Sequence, residues 1–128
     1  MFVPHLHFYG DCEDAMAVYE MAFNTKADTI IRDDDGGIVH AEMRIHSLRV
    51  MLNNRFGNKD KTTDCAIAAV ITFNTANELL KSYEILKQDS VTIDPMNKAP
   101  YTELGVQFLD KFGVQWAFMV ENMKTDTP

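Results

Sequence analysis

The sequence predicts an α+β protein in which one strand–helix–three-strand series is read twice. Three observations carry this. Residues 3–9 alternate apolar and polar side chains as a half-buried strand does. Helix-entry patterns follow a strand twice, at Asp11-Cys12-Glu13-Asp14 and again at Thr75-Ala76-Asn77-Glu78. Between the two series lies a polar stretch containing Gly57 and several lysine and aspartate residues, the composition of a linker. The division is a first module over 1–55, a linker over 56–64, a second module over 65–123 and a tail over 124–128, all within one domain of 128 residues.

In the first strand Leu6 and Phe8 share one face, and His5, His7 and Tyr9 share the other. Asp11 then offers a side-chain oxygen to the orphan amides of a helix, and Glu13 and Asp14 suit its positive end. Ala15, Val18 or Tyr19, and Ala22 or Phe23 recur at helical spacing, which carries the helix to about Phe23. Ala27 to Asp33, Ile38 to His46 and Arg49 to Asn53 complete the module as three strands, with turns at Asp35-Gly36-Gly37 and near Ser47.

The second series opens at Cys65 to Phe73, a near-continuous apolar run expected to be a central strand buried on both faces. Thr75 and Glu78 have the spacing of a capping box, and Leu79, Leu80, Tyr83 and Leu86 supply the stripe of a helix reaching about Lys87. Ser90 to Ile93, Tyr101 to Leu109 and Gln115 to Glu121 are the last three strands, with Pro95 and Pro100 assigned to the loop between the first two.

Composition narrows the function. The formal charge is −7, from 19 acidic and 12 basic side chains. The first 60 residues hold 10 acids against 6 bases and the remainder 9 against 6, so no basic face is set aside for phosphates and nucleic acid is not an expected partner. The N-terminal residues lack a secretory pattern and no apolar run approaches the ~18 residues that span a bilayer. The expectation is a cytoplasmic protein with no membrane partner. Cys12 and Cys65 form no framework of close pairs, which suits a reducing compartment.

Three motifs occur in order: Gly10-Asp11-Cys12-Glu13-Asp14-Ala15 at the helix entry, His40-Ala41-Glu42-Met43 in a strand, and Asp110-Lys111-Phe112-Gly113-Val114-Gln115-Trp116 at the last turn. With the duplicated module, they resemble the vicinal oxygen chelate superfamily of glyoxalase I, bleomycin-resistance proteins and ring-cleaving dioxygenases, in its PhnB-like branch. That branch often carries the label 3-demethylubiquinone 3-methyltransferase. The resemblance implies two βαβββ modules curled into a glyoxalase-like cup with helices outside and a ligand site within, the halves pairing within one chain or across two, and with it a homodimer. It does not bring methyl transfer with it, because no glycine-rich turn follows the first strand to approach an adenosyl cofactor.

Enzymes of that superfamily hold a divalent ion with His, Glu or Gln side chains on the first and last strands of the modules. His5 occupies the first such position. The others hold Met51, Ala66, Ala68 or Ala69, and Ala117, too few donors for a catalytic ion. An alternative metal set is His5, His7, His40 and Glu42, since His5 and His7 share a strand face and so do His40, Glu42 and Arg44. The family's strand order places these two pairs about 9 to 10 Å apart, two inter-strand spacings. The plainer reading makes them a hydrogen-bonded lining, with Glu42 paired to Arg44, His40 or His7.

The expected activity is therefore binding of a small-molecule ligand by His5, His7, His40, Glu42 and Trp116, with no conventional metal site and no assigned catalytic residue. The alternative is a divalent-metal-dependent lyase, isomerase or dioxygenase-like enzyme using the same histidines with Glu42. Trp116 and Phe118 share one face of the last strand, where they either wall the cup or lie beneath a helix. Cys12 stands in the first turn of a helix, which favours a thiolate, but Asp11, Glu13 and Asp14 oppose it. Met43, Met51 and Met119 are adaptable gap-fillers, and Tyr101 borders the expected mouth. Asp33 to Gly37 lacks the alternating ligands of a calcium loop and reads as a hairpin tip.

Overall fold

The computed structural model describes residues 1–54, 67–100 and 102–121. Two compact units divide at Asp64 and Cys65. The first contains β1 (His5–Phe8), α1 (Cys12–Ala22), β2 (Ala27–Arg32), β3 (Ile38–Ile45) and β4 (Leu48–Asn54). The second contains β5 (Ala69–Phe73), α2 (Ala76–Leu86), β6 (Val91–Ala99), β7 (Thr102–Leu109) and β8 (Gln115–Glu121). The linker, Cys65 and Ala66 at the expected start of β5, Tyr101 and the tail lie outside the described residues.

The two units share a topology. Their sheets run β1-β4-β3-β2 and β5-β8-β7-β6. In each, the first strand lies parallel to the last and the remaining neighbours are antiparallel. This is the strand–helix–three-strand series expected from the alternation of apolar residues, seen twice.

Each helix covers one face of its own sheet. In the first unit Phe8 meets Tyr19 of α1 with ring centroids 6.2 Å apart, and the register places Leu6, Leu52 and Ala41 on that same side. Phe8, Tyr19, Ala41, Met43 and Leu52 are all fully buried. In the second unit Tyr83 of α2 stands edge-on to Phe108 at 5.1 Å, and Phe108 and Phe73 each meet Phe118.

Several expectations change in detail. Asp11 occupies the N-cap of α1 but its side chain makes no cap bond; its Oδ1 accepts from the Tyr9 amide instead. Asn54, at the end of β4, does the capping, its Oδ1 accepting from the Gly10 and Cys12 amides at 3.1 and 3.0 Å. The second helix is capped as expected, Thr75 Oγ1 accepting from the Glu78 amide at 3.2 Å. Its buried stripe is Leu79, Ser82 and Leu86, whereas Leu80 is 40% exposed, because the helical repeat turns position 80 off the sheet.

β5 stands at one end of its sheet order rather than at the centre, and its alternating burial leaves Val70 exposed. A short apolar run does not by itself distinguish an outer strand from a central one. β6 continues through Pro95, which sequence assigned to a loop. It is the outermost strand of its sheet and its register with β7 shifts repeatedly, so the missing proline N–H costs no ladder bond.

Candidate functional site

The chemistry of the first unit lies on the sheet face opposite α1. Alternation puts His5 and His7 of β1 there, and the register adds Met51 and Asn53 of β4, which stand opposite them. Glu42 faces Met51, and Arg44 faces Arg49, so β3 and β4 extend the same polar face. The strand β4 separates β1 from β3, as the expected spacing required.

The register comes from a tight turn. His46 and Ser47 both adopt left-handed φ, 50° and 70°, between the paired residues Ile45 and Leu48. Two left-handed central residues match the twist of a two-residue hairpin. Counting back from that turn sets Arg49 diagonal to Glu42, within reach of its long side chain.

Arg49 grips Glu42 with a fork. Its Nε donates to Oε1 at 2.7 Å and its Nη2 to Oε2 at 3.0 Å. His40 Nε2 lies 2.7 Å from Oε2. Hydrogen bonds from Arg49 first, then from His40, hold the Glu42 carboxyl down at about 2, so it stays an anion across the physiological range. The expected partnership with His40 is present, while the cation is Arg49 and not Arg44. Arg44 turns away, to Asp28 at 4.0 Å and the Ser47 carbonyl at 3.4 Å.

On β1, His7 Nδ1 lies 2.7 Å from Asn53 Oδ1, and the His5 and His7 rings lie 4.2 Å apart, tilted by 35°. Partial desolvation of the ring, although His5 has substantial exposed area, and then the nearness of His7 and His40, lower the His5 pKa. Arg49 and Asn53 are the members that residue-by-residue reading missed. The signal for both was the turn at 46 and 47, which fixes who stands across from whom.

Trp116 is placed elsewhere. It is fully buried on the α2 side of the second sheet, beside Phe118 at 6.0 Å, and its indole N–H donates to Asp110 Oδ2 at 2.8 Å. Asp110 Oδ1 accepts from the Phe112 and Val114 amides, and Gly113 supplies the left-handed turn at φ 95°. The aromatic pair thus lies beneath the helix, and the motif that links residues 110 to 116 is a folding device. On the face opposite α2 the register places Gln107, Gln115, Ala117 and Met119.

Cys12 is buried at the start of α1. Burial, followed by the Asp11 and Glu13 carboxylates, pushes its thiol up to about 12, the opposite of an activated nucleophile. At the β2–β3 tip, Asp33 Oδ1 accepts from the Asp35 and Gly37 amides, consistent with a hairpin turn. A surface concavity of about 510 Å³ is lined by Phe23, Asn24, Thr25, Arg44, His46 and Ser47. None of His5, His7, His40 or Glu42 borders it, and depth alone does not make it the site, because the converging polar side chains stand elsewhere.

A divalent ion does not fit this donor set. Both oxygens of Glu42 are taken by Arg49 and His40, so ligation would have to displace a guanidinium fork. Met51, opposite His5, offers only a thioether, which suits soft metals. Among the described residues no three His, Cys, Asp or Glu side chains are grouped so as to hold a metal ion.

The chain belongs to the glyoxalase/bleomycin resistance protein/dioxygenase superfamily, whose family model matches residues 3–118. Its similarity to solved structures includes a PhnB protein from Bacillus cereus described as a putative 3-demethylubiquinone-9 3-methyltransferase. That match has 25% identity and a TM-score of 0.83, over 93% of this chain and 98% of the other. A glyoxylase/bleomycin resistance protein/dioxygenase domain from Frankia sp. shares the fold at 16% identity and a TM-score of 0.74, over 95% and 97% of the two chains. The fosfomycin resistance protein FosX of Listeria monocytogenes does so at 11% identity and a TM-score of 0.68, over 96% and 93%. No curated protein matches the chain. Among the described residues no helix is long and apolar enough to cross a membrane.

Proposed function

We propose that the face of the first sheet opposite α1 binds a small organic molecule, without a conventional metal centre. The observation that carries this reading is the His40–Glu42–Arg49 network, with His40 and Glu42 side chains only 26% and 18% exposed. Three polar side chains are fixed there by one another, in a half-sheltered position on rigid strands. Such a preorganised polar surface loses little rotamer freedom when a ligand arrives. His5, His7 and Asn53 extend it across β4 to β1. Trp116 takes no part, since its ring and its N–H are both committed to the core of the second unit.

The metal-dependent lyase, isomerase or dioxygenase alternative draws no support from Glu42, whose oxygens are already occupied. Native mass spectra of protein purified without chelator or histidine tag, and again after exposure to zinc, nickel, cobalt and manganese, separate the two readings. The binding reading expects no stoichiometric metal, and a small-molecule adduct where one copurifies. One metal per chain, lost in both His5→Ala and Glu42→Gln with unchanged far-ultraviolet circular dichroism, would overturn it. The same spectra report whether the chain forms the homodimer that its family resemblance implies.

A further inference from the structure

We infer that the molecule taken by this face is a hydrogen-bond donor, bearing hydroxyl or ammonium groups, and that His7 Nε2 and His40 Nδ1 receive it. The inference rests on reading the face as a small-molecule site. It follows from what the partners of the two histidines are able to do. An amide oxygen only accepts, so Asn53 Oδ1, 2.7 Å from His7 Nδ1, requires the proton to sit on Nδ1. An ionised carboxylate likewise only accepts, so Glu42 Oε2, 2.7 Å from His40 Nε2, requires the proton there. A neutral imidazole carries a single N–H. In the neutral form of each ring the opposite nitrogen, Nε2 on His7 and Nδ1 on His40, is then a bare lone pair.

Arg49 fixes Glu42 as an acceptor. Glu42 cannot donate in turn, because Arg49 keeps it ionised through two hydrogen bonds. Arg49 spends its fork on Glu42 and not on an incoming anion. The His5 pKa is lowered, first by desolvation and then by its histidine neighbours. An anion site would require the reverse, with both imidazoles taking up a proton. Because β4 lies between β1 and β3, the two acceptors belong to strands about 10 Å apart. A ring with donors on two sides suits that span better than a single small group.

Imidazole nitrogen NMR of the uniformly ¹⁵N-labelled chain at pH 8 tests this, with resorcinol as the two-hydroxyl probe and isophthalate as its dianionic match. The expected result is the Nδ1–H tautomer for His7 and the Nε2–H tautomer for His40, with resorcinol shifting His7 Nε2 and His40 Nδ1 and isophthalate leaving both in place. Shifts caused by isophthalate alone would overturn the donor class and leave the face standing as a binding site. Shifts from neither probe would overturn both. The opposite tautomers in the free protein would overturn the inference without any ligand, so it does not depend on a variant that folds. Asn53→Leu adds a check, since His7 should lose its single tautomer; an unchanged His7 would contradict the role given to Asn53.

Discussion

The two units have the same topology and different side chains on corresponding faces. On the sheet face away from its helix, the first unit carries His5, His7, His40, Glu42 and Arg49, while the second carries Asp94, Gln107, Gln115, Ala117 and Met119. Nothing in the strand order accounts for this. The fold supplies a surface and the alternating positions decide what it does, so a functional argument has to be made face by face and not from the superfamily. The units also differ in how they are tied together: α1 is capped by Asn54 from the far end of its module, α2 by its own Thr75.

The largest effect that sharpens this comparison is expected at two aspartates making similar turns. Asp33 and Asp110 each accept two turn amides through Oδ1 and precede a left-handed glycine. Asp110 is 3% exposed and also holds the Trp116 indole, whereas Asp33 is exposed. Replacing Asp110 by Ala strands three donors, two of them in buried hydrogen bonds, and should cost about 3 kcal/mol or more in urea unfolding. Asp33→Ala leaves donors that water can reach and should cost under about 1 kcal/mol. Equal losses would show that burial is not what separates the two turns.

The helix caps come next. Asn54→Ala removes the acceptor of two amides and should cost about 1 to 2 kcal/mol, and Thr75→Ala about 1 kcal/mol. Because Asn54 joins β4 to α1, its loss should also speed amide hydrogen exchange at Gly10 and Cys12. The Thr75 change should act only at the start of α2. Exchange at residues 10 to 12 that is unaltered by Asn54→Ala would remove the long-range cap from this account.

A smaller effect is expected in acid. The Glu42 carboxyl is held at about 2, below its ordinary 4.5, chiefly by Arg49 and His40. Since the folded value is the lower one, its contribution is complete above about 4.5 and is lost as pH falls from there towards about 2. Carboxylate ¹³C shifts should show Glu42 still ionised at pH 4. In Arg49→Met its midpoint should rise. A Glu42 midpoint near 4.5 in the unaltered protein would place the guanidinium fork in doubt.

The fold was legible because it depends on patterns that survive in a single sequence. Alternation exposed Val3 to Tyr9, the capping box located α2, and the glycine-containing turns separated the strands. Position within a sheet was not legible: β5 and a central strand both read as short apolar runs, and Pro95 looks like a loop residue until the edge strand around it is seen. The polar face of the first unit was legible in part. His5, His7, His40 and Glu42 follow from strand alternation, but Arg49 and Asn53 depend on cross-strand register. One residue's error in the turn at His46 and Ser47 would have sent both to the other face. Trp116 illustrates the converse, since alternation placed it with Phe118 without saying which side the helix would cover.

The most direct test of the central claim, that the first unit's polar face holds the ligand, is a resorcinol titration followed on the His7 ring nitrogens in His40→Ala and in Gln107→Ala. Binding should weaken about tenfold or more in the first, equivalent to about 1.4 kcal/mol, and stay within about twofold of the unaltered protein in the second. Undiminished binding in His40→Ala, or an equal loss in both, would contradict it.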